Sequence, residues 1–216
     1  MAYKAALFDL DGTLVDTKQE HIYDSVGRTL HELGITPAVE IGDYAVFANH
    51  FWKGFSDRDI LIQDLGLSPD SFWEVFKKHD SPSVRVANSF VYPDFHVLNQ
   101  LRERGIKTGI VTDAPDYVAV GELELIGHSF DYIVCADHLQ GIPAKPHTAG
   151  LLKCLIGLGV SVTEAIYLGN ANVDVDLGRN AGIKNGVVVR ESGYKLKSTP
   201  DFFVKDLVEF QERFFK

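Results

Sequence analysis

Short apolar runs alternate with helical stretches along most of the chain. Ala5-Ala6-Leu7-Phe8 is such a run, and it stops at Asp9-Leu10-Asp11-Gly12, a turn signal. Ile106 to Val111, Tyr132 to Cys135, Ala165 to Leu168 and Gly186 to Val189 share its character. Runs of this length with no polar alternation read as strands buried on both faces. Between them, Val97, Leu98 and Leu101 fall on one face of a helix predicted over Asp94 to Arg104, and Gly105 stands where a helix C-cap belongs. Leu151, Leu152, Leu155, Ile156 and Leu158 mark another helix, followed by Gly159. Strand and helix in alternation predict an α/β fold, a Rossmann-like parallel sheet with helices on both faces.

From Thr17 to Ser89 the rhythm changes to helical periodicity with no convincing buried strand. Ile22, Val26, Leu30 and Leu33 form a stripe closed by Gly34, Ile60, Leu61 and Leu65 form a second, and Phe72, Trp73, Val75 and Phe76 a third. The expected organisation is an α/β core domain from residues 1–16 and 90–216, with an all-helical subdomain, residues 17–89, inserted after the first strand.

Composition narrows the partners. The 216 residues, 45% of them apolar and 24% charged, suffice for a buried core. A net charge of −9 argues against nucleic acid, which needs a basic face, while a local cluster of donors still admits a small anion. Cys135 and Cys154 lack metal-type spacing and read as core residues of a cytoplasmic protein. The opening apolar run is too short for a signal peptide, and no run approaches the ~18 residues of a membrane span. No membrane partner is expected, and the assembly state is expected to be monomer or homodimer.

Four segments at the carboxyl ends of predicted strands hold the candidate chemistry, at the edge where open α/β sheets bind ligands. Asp9-Leu10-Asp11-Gly12-Thr13-Leu14 sets two carboxylates two positions apart, able to bracket a cation and a reacting atom. Average residue usage gives this string by chance in only about 10⁻⁴ to 10⁻³ of chains this long. Thr112-Asp113 offers a hydroxyl and backbone N–H groups to phosphate oxygens, although a lone Thr after a strand is commonly a turn former. Lys145, before Pro146, offers an ammonium that offsets phosphate charge. Asn170 and Asp174, four apart after Gly169, offer oxygens suited to a hard cation such as Mg²⁺, or to ordinary helix capping.

In this order and spacing the four segments resemble the motifs of the haloacid dehalogenase superfamily, phosphatase branch, and the inserted helices resemble its type 1 cap, as in phosphoglycolate phosphatase and β-phosphoglucomutase-like members. Phe8 to Thr17 is the closest match; Thr112, Lys145 and the Ala181-Gly182 ending complete it. The resemblance implies hydrolysis of a small phosphorylated metabolite. Asp9 would be the nucleophile, Asp11 the acid and base, Thr112 and Lys145 the phosphoryl ligands, and Mg²⁺ would be held by Asp9, Asp11 and the fourth motif. The presence of Asp11 argues against the dehalogenase branch. Asn170 departs from the family, which usually has Asp there, so weaker Mg²⁺ binding is expected, with Asp174 as partial compensation. Asp113 stands where many relatives carry Asn or Ser.

Substrate choice is expected in Asn49 to Arg58, where Lys53 and Arg58 are candidate phosphate ligands. Two other readings share the motifs: a sugar-phosphate mutase, and a low-activity or non-catalytic binding protein on the same fold.

Overall fold

The apolar runs become the strands of one sheet. A computed structural model of the chain describes residues 3–36, 41, 43–53, 58–136, 141–190 and 196–215. Its strands are β1 (Ala5–Phe8), β2 (Val15–Thr17), β3 (Ser89–Val91), β4 (Lys107–Thr112), β5 (Tyr132–Cys135), β6 (Ala165–Gly169), β7 (Lys184–Val188) and β8 (Phe202–Val204). Six of them form a sheet in the order β5-β4-β1-β6-β7-β8, every pair parallel. Leu7 pairs with Gly109 on one side and with Tyr167 on the other, so β1 is the central strand between the β4 and β6 edges of the site. After β1 the chain adds strands outward on one side, then crosses to the other at β6. Loops from β1, β4 and β6 therefore converge at one carboxyl edge, the crevice where such sheets bind ligands.

The period of two along each strand supplies both faces with apolar side chains. Phe8, Ile110, Ile166 and Leu168 meet Leu98 and Leu101 of α6 (Val97–Glu103) and Leu207 and Phe210 of a C-terminal helix, α10 (Leu207–Phe214), once the helices are numbered along the chain. On the opposite face Leu7, Val111 and Tyr167 meet Leu151, Cys154 and Leu155 of α8 (Ala149–Leu158) and Leu177 of α9 (Asn172–Ala181). Among the described residues the remaining α-helix of this unit is α7 (Asp116–Ile126). Both cysteines are buried and free.

The residues divide into two units, Met1–Asp16 with Phe90–Lys216, and Thr17–Ser89. The second consists of α1 (Gln19–Glu32), α2 (Tyr44–Lys53), α3 (Arg58–Asp64), α4 (Pro69–His79) and α5 (Pro82–Asn88) among the described residues. Its core is largely aromatic: Phe51 lies 5.2 Å from Phe72 and 6.4 Å from Phe76, ring centre to ring centre, over Val26, Leu30 and Ile62. At the two chain crossings β2 and β3 pair as a separate two-stranded sheet.

Several local expectations change. The helix predicted over Asp94 to Arg104 begins as a 3₁₀ turn, Pro93–His96, and becomes α-helical only at Val97. Leu152 and Ile156 are 41% and 80% exposed, because Leu151, Cys154, Leu155 and Leu158 already complete the i, i+3, i+4, i+7 stripe of α8. In α3 it is Ile62 that is buried, while Ile60 faces solvent. Strands β2, β3 and β8 were not foreseen, each being only three residues long.

The aromatic core yields a stability prediction. Phe72→Ala should destabilise the inserted unit by about 3–5 kcal/mol, the usual cost of deleting a buried ring. Both tryptophans, Trp52 and Trp73, lie in that unit, so the urea midpoint of tryptophan emission reports on it. An unchanged midpoint would show that Phe72 does not carry this core.

Candidate active site

A single buried ammonium organises the carboxyl edge of the sheet. Lys145 Nζ donates to Asp9 Oδ1 at 2.7 Å and to Asp174 Oδ1 at 2.8 Å. The three side chains are only 5%, 6% and 1% exposed. Asp9 directly follows β1, Lys145 precedes α8, and Asp174 lies in the first turn of α9.

The two carboxylates are held very differently. Asp174 Oδ1 also accepts the Tyr167 hydroxyl at 2.7 Å, and Oδ2 accepts the backbone N–H groups of Asn170 and Ala171 at 3.0 and 2.9 Å. This is an N-terminal helix cap, and both the amide donors and the helix dipole favour negative charge there. Gly169 makes room for it: a Cβ at that position would lie 2.3 Å from Asp174 Cγ. Asp9, besides Lys145, has Thr13 Oγ1 donating to Oδ2 at 3.4 Å.

Charge follows geometry. Burial pushes the Asp9 carboxyl up to about 8; the Lys145 ammonium opposes this, while Asp174 and Asp11 add to it. At Asp174 burial works in the same upward direction, but Lys145, Tyr167 and the amides outweigh it and hold the group below the ordinary carboxylate range. Burial alone would depress Lys145; Asp174 and Asp9 overcome that and keep the ammonium protonated. One cation serving two buried carboxylates leaves Asp9 as the underserved partner, the oxygen-rich group with capacity for another positive or electrophilic centre.

The second motif lies beside this triad. The backbone N–H of Lys145 donates to Asp113 Oδ1 at 3.0 Å, and burial raises the Asp113 carboxyl despite the nearby ammonium. Thr112 is 1% exposed at the end of β4, and its Oγ1 accepts the Ala114 N–H at 3.0 Å, which leaves its own O–H to donate. Asn170 approaches the first motif: a Cβ on Gly12, whose φ is +73°, would lie 2.0 Å from Asn170 Nδ2. Only glycine fits there, in backbone conformation and in space.

The structure thus brings Asp9, Lys145, Asp174, Asp113 and Asn170 together by direct contact or contact through Gly12, with Asp11 and Thr112 adjoining in sequence. Asp174, expected from the sequence as a compensating metal ligand, is engaged by protein donors in this structure. Its two oxygens take four donors, Lys145 among them. Arg58 belongs to the inserted unit, where its guanidinium donates to the Phe51 and Trp52 carbonyls at 2.8 and 2.5 Å, closing the end of α2. The Lys53 side chain and residues 54–57 of the expected specificity segment lie outside the described residues. Tyr167 was missed by the sequence reading; its one signal is a hydroxyl-bearing ring in a strand otherwise made of Ala, Ile, Leu and Gly.

Known proteins resemble this chain in sequence and fold. A family model described as haloacid dehalogenase-like hydrolase matches residues 6–188. The chain is 30% identical over 220 residues to a phosphoglycolate phosphatase of Aquifex aeolicus, covering 97% of both. It is 30% identical over 210 residues to the pyrophosphatase PpaX of Bacillus cereus, covering 94% of this chain and 93% of that one. Among solved structures, a β-phosphoglucomutase from Clostridium difficile superposes with a TM-score of 0.72 at 20% identity, covering 98% of this chain and 97% of the other, a likeness of fold. The family match runs through all four segments that carry the site, and the chain belongs to the haloacid dehalogenase-like hydrolase family.

Proposed function

We propose that this protein is a Mg²⁺-dependent phosphatase that hydrolyses a small phosphate monoester through an aspartyl-phosphate on Asp9. The observation that carries the reading is the Asp9–Lys145–Asp174 cluster: a buried carboxylate at the end of β1, held 2.7 Å from an ammonium that a second, saturated carboxylate fixes in place. The two relatives are named for different substrates, phosphoglycolate and pyrophosphate, and what those have in common is the phosphoryl group.

In the first step an Asp9 oxygen bonds to phosphorus as the ester P–O bond breaks. The leaving oxygen takes the proton of Asp11. In the second step Asp11, now a carboxylate, takes a proton from water as that water bonds to phosphorus. The bond to Asp9 breaks, giving orthophosphate and the free Asp9 carboxylate. Lys145 neutralises charge on the equatorial oxygens, and the Thr112 hydroxyl donates to one of them.

The residues present fit a hard cation. Asp9, Asp113 and Asp174 gather around one lysine, Asp11 adds negative charge beside Asp9, and burial pushes Asp9 toward its neutral form, a deficit that a divalent ion would relieve. Asp9, the Asp11 carbonyl and the Asn170 amide oxygen would hold Mg²⁺, an all-oxygen set of the kind this ion prefers. Once bound, the ion supplies neutralisation of the phosphoryl oxygens. Asn170 brings no formal charge, so the set holds the ion less tightly than one with a carboxylate there.

Three outcomes follow. Wild type should release orthophosphate steadily from a panel of phosphorylated metabolites, and Asp9→Asn should reduce that release to the uncatalysed background. Equal rates for the two proteins would end the proposal, and turnover without free phosphate would point to a mutase. By calorimetric titration, Asn170→Asp should bind Mg²⁺ roughly tenfold tighter, since ligand charge tunes affinity at oxygen sites. Equal or weaker binding would show that Asn170 is not a ligand.

The third concerns pH. The Asp9 carboxyl in the folded protein sits at about 8, above its ordinary 3.8, so between those values the native state keeps a proton that the unfolded chain has lost. Stability therefore falls as pH rises through that window. Asn does not titrate, so without metal the Tm of Asp9→Asn minus that of wild type should increase from about pH 4 to about pH 8 and then level off. A Tm difference independent of pH would contradict the placement of Asp9 in this environment.

A further inference from the structure

Arg190 follows β7 and reaches back to the loop that carries Asp11. Its Nε and Nη2 both donate to the Thr13 carbonyl, at 3.1 and 2.6 Å, and its Nη1 donates to Asp94 Oδ2 at 2.7 Å. The guanidinium carbon lies 4.0 Å from the centre of the Tyr92 ring, and the Tyr92 hydroxyl donates to Asp16 Oδ2 at 2.7 Å. Asp94 Oδ2 also accepts the Leu207 N–H at 2.7 Å, at the start of α10. The ion pair is nearly closed to solvent, its side chains 8% and 10% exposed.

A buried guanidinium is costly unless its donors are met, and here they are met by a backbone carbonyl and a carboxylate with an aromatic face beside them. The carbonyl is the informative partner. Thr13 is two residues beyond Asp11, in a loop otherwise fastened by Leu10 O, which accepts Thr13, Leu14 and Val15 N–H at 3.2, 2.9 and 3.2 Å, and by Gly12 N–H to Val15 O at 2.7 Å. Those bonds close the loop upon itself. Beyond the loop itself, the Tyr92 N–H donates to the Leu14 carbonyl at 3.0 Å and Leu10 and Leu14 are buried in the core, while at Thr13 the tie is Arg190, which reaches through Asp94 to α10 and packs on Tyr92, itself bonded to Asp16.

We infer that Arg190 is a positioning residue for Asp11: by clamping the Thr13 carbonyl it fixes the loop from which the Asp11 carboxyl delivers its proton to the leaving group. This rests on the phosphatase reading and gives a residue outside the four motif segments a part in one step of that reaction. Asp9 is held mainly by β1 and by Lys145 at 2.7 Å, with the Thr13 hydroxyl a longer contact at 3.4 Å, so loss of the clamp should impair proton delivery more than attack on phosphorus.

The leaving group separates the two. p-Nitrophenolate departs without a proton, whereas the alkoxide of benzyl alcohol needs one, and general acids contribute about 10²–10⁴-fold to such steps. For Arg190→Ala we expect kcat/KM on p-nitrophenyl phosphate within about threefold of wild type and a loss of about tenfold or more on benzyl phosphate, the scale on which small misplacements of a catalytic group act. Asp11→Asn sets the limit of that selective loss. An equal loss on both esters, or none, overturns the inference. Should Arg190→Ala fail to fold, the double variant Arg190→Met with Asp94→Asn keeps the packing without a buried unpaired charge, and its ratio of rates decides in the same way. Asp9→Asn distinguishes the failures. If it retains wild-type rates, or if wild type hydrolyses neither ester, the phosphatase reading itself falls and the assignment of Arg190 with it.

Discussion

Everything at this site depends on one buried ammonium being shared between two carboxylates. An unpaired charge of that kind inside a protein is prohibitive, and Lys145 meets the requirement with Asp9 and Asp174. Two carboxylates around one cation still leave an excess of negative charge, and the structure resolves it unequally. Asp174 receives a tyrosine hydroxyl and two backbone amides at a helix start and remains firmly ionised. Asp9 receives little beyond the lysine, and burial drives it toward the neutral form. The asymmetry separates the two carboxylates: the saturated one places the lysine, and the unsaturated one is the reactant in the proposed mechanism.

The sheet makes that sharing possible. With β1 between β4 and β6, the residues after three strands that are distant in sequence arrive at one edge. Asp9 leaves β1, Thr112 ends β4 with Asp113 just after it, and Tyr167 and Gly169 belong to β6, which leads into the cap of α9. Because alternate residues of each strand supply opposite faces, Leu7 and Phe8 lock β1 into two apolar layers at once. A rigid central strand is what lets a carboxylate at its tip be positioned against a lysine 136 residues away.

Much of this was legible in the sequence. The parallel α/β fold followed from apolar runs that lack alternation, since only a strand covered on both faces reads that way. The first motif stood out because Asp9, Asp11 and Gly12 combine at the end of such a run. Other features were hidden for physical reasons. Whether Asn170 and Asp174 ligate or cap depends on where the amides of Asn170 and Ala171 point, which residue spacing does not reveal. Tyr167 looks like strand filling until its hydroxyl is seen on Asp174. Arg190 meets Thr13 only through tertiary contacts across 177 residues, and nothing in its neighbourhood marks it. Exposed Leu152 and Ile156 show the converse error, in which apolar identity alone exaggerates the width of a buried stripe.

The anchoring of Lys145 runs through Asp174, not through position 170, so Asn170 leaves the Asp9–Lys145–Asp174 cluster intact. The central claim is that Asp9 is the atom-bonding nucleophile. Acid quenching during steady turnover of p-nitrophenyl phosphate, followed by peptide mapping, tests it most directly. The account predicts a phosphoryl group on the peptide containing Asp9, labile in base as an acyl phosphate is, and absent when Lys145 is replaced by Met. Turnover with no phosphoryl group on that peptide, or with one on another residue, would contradict it.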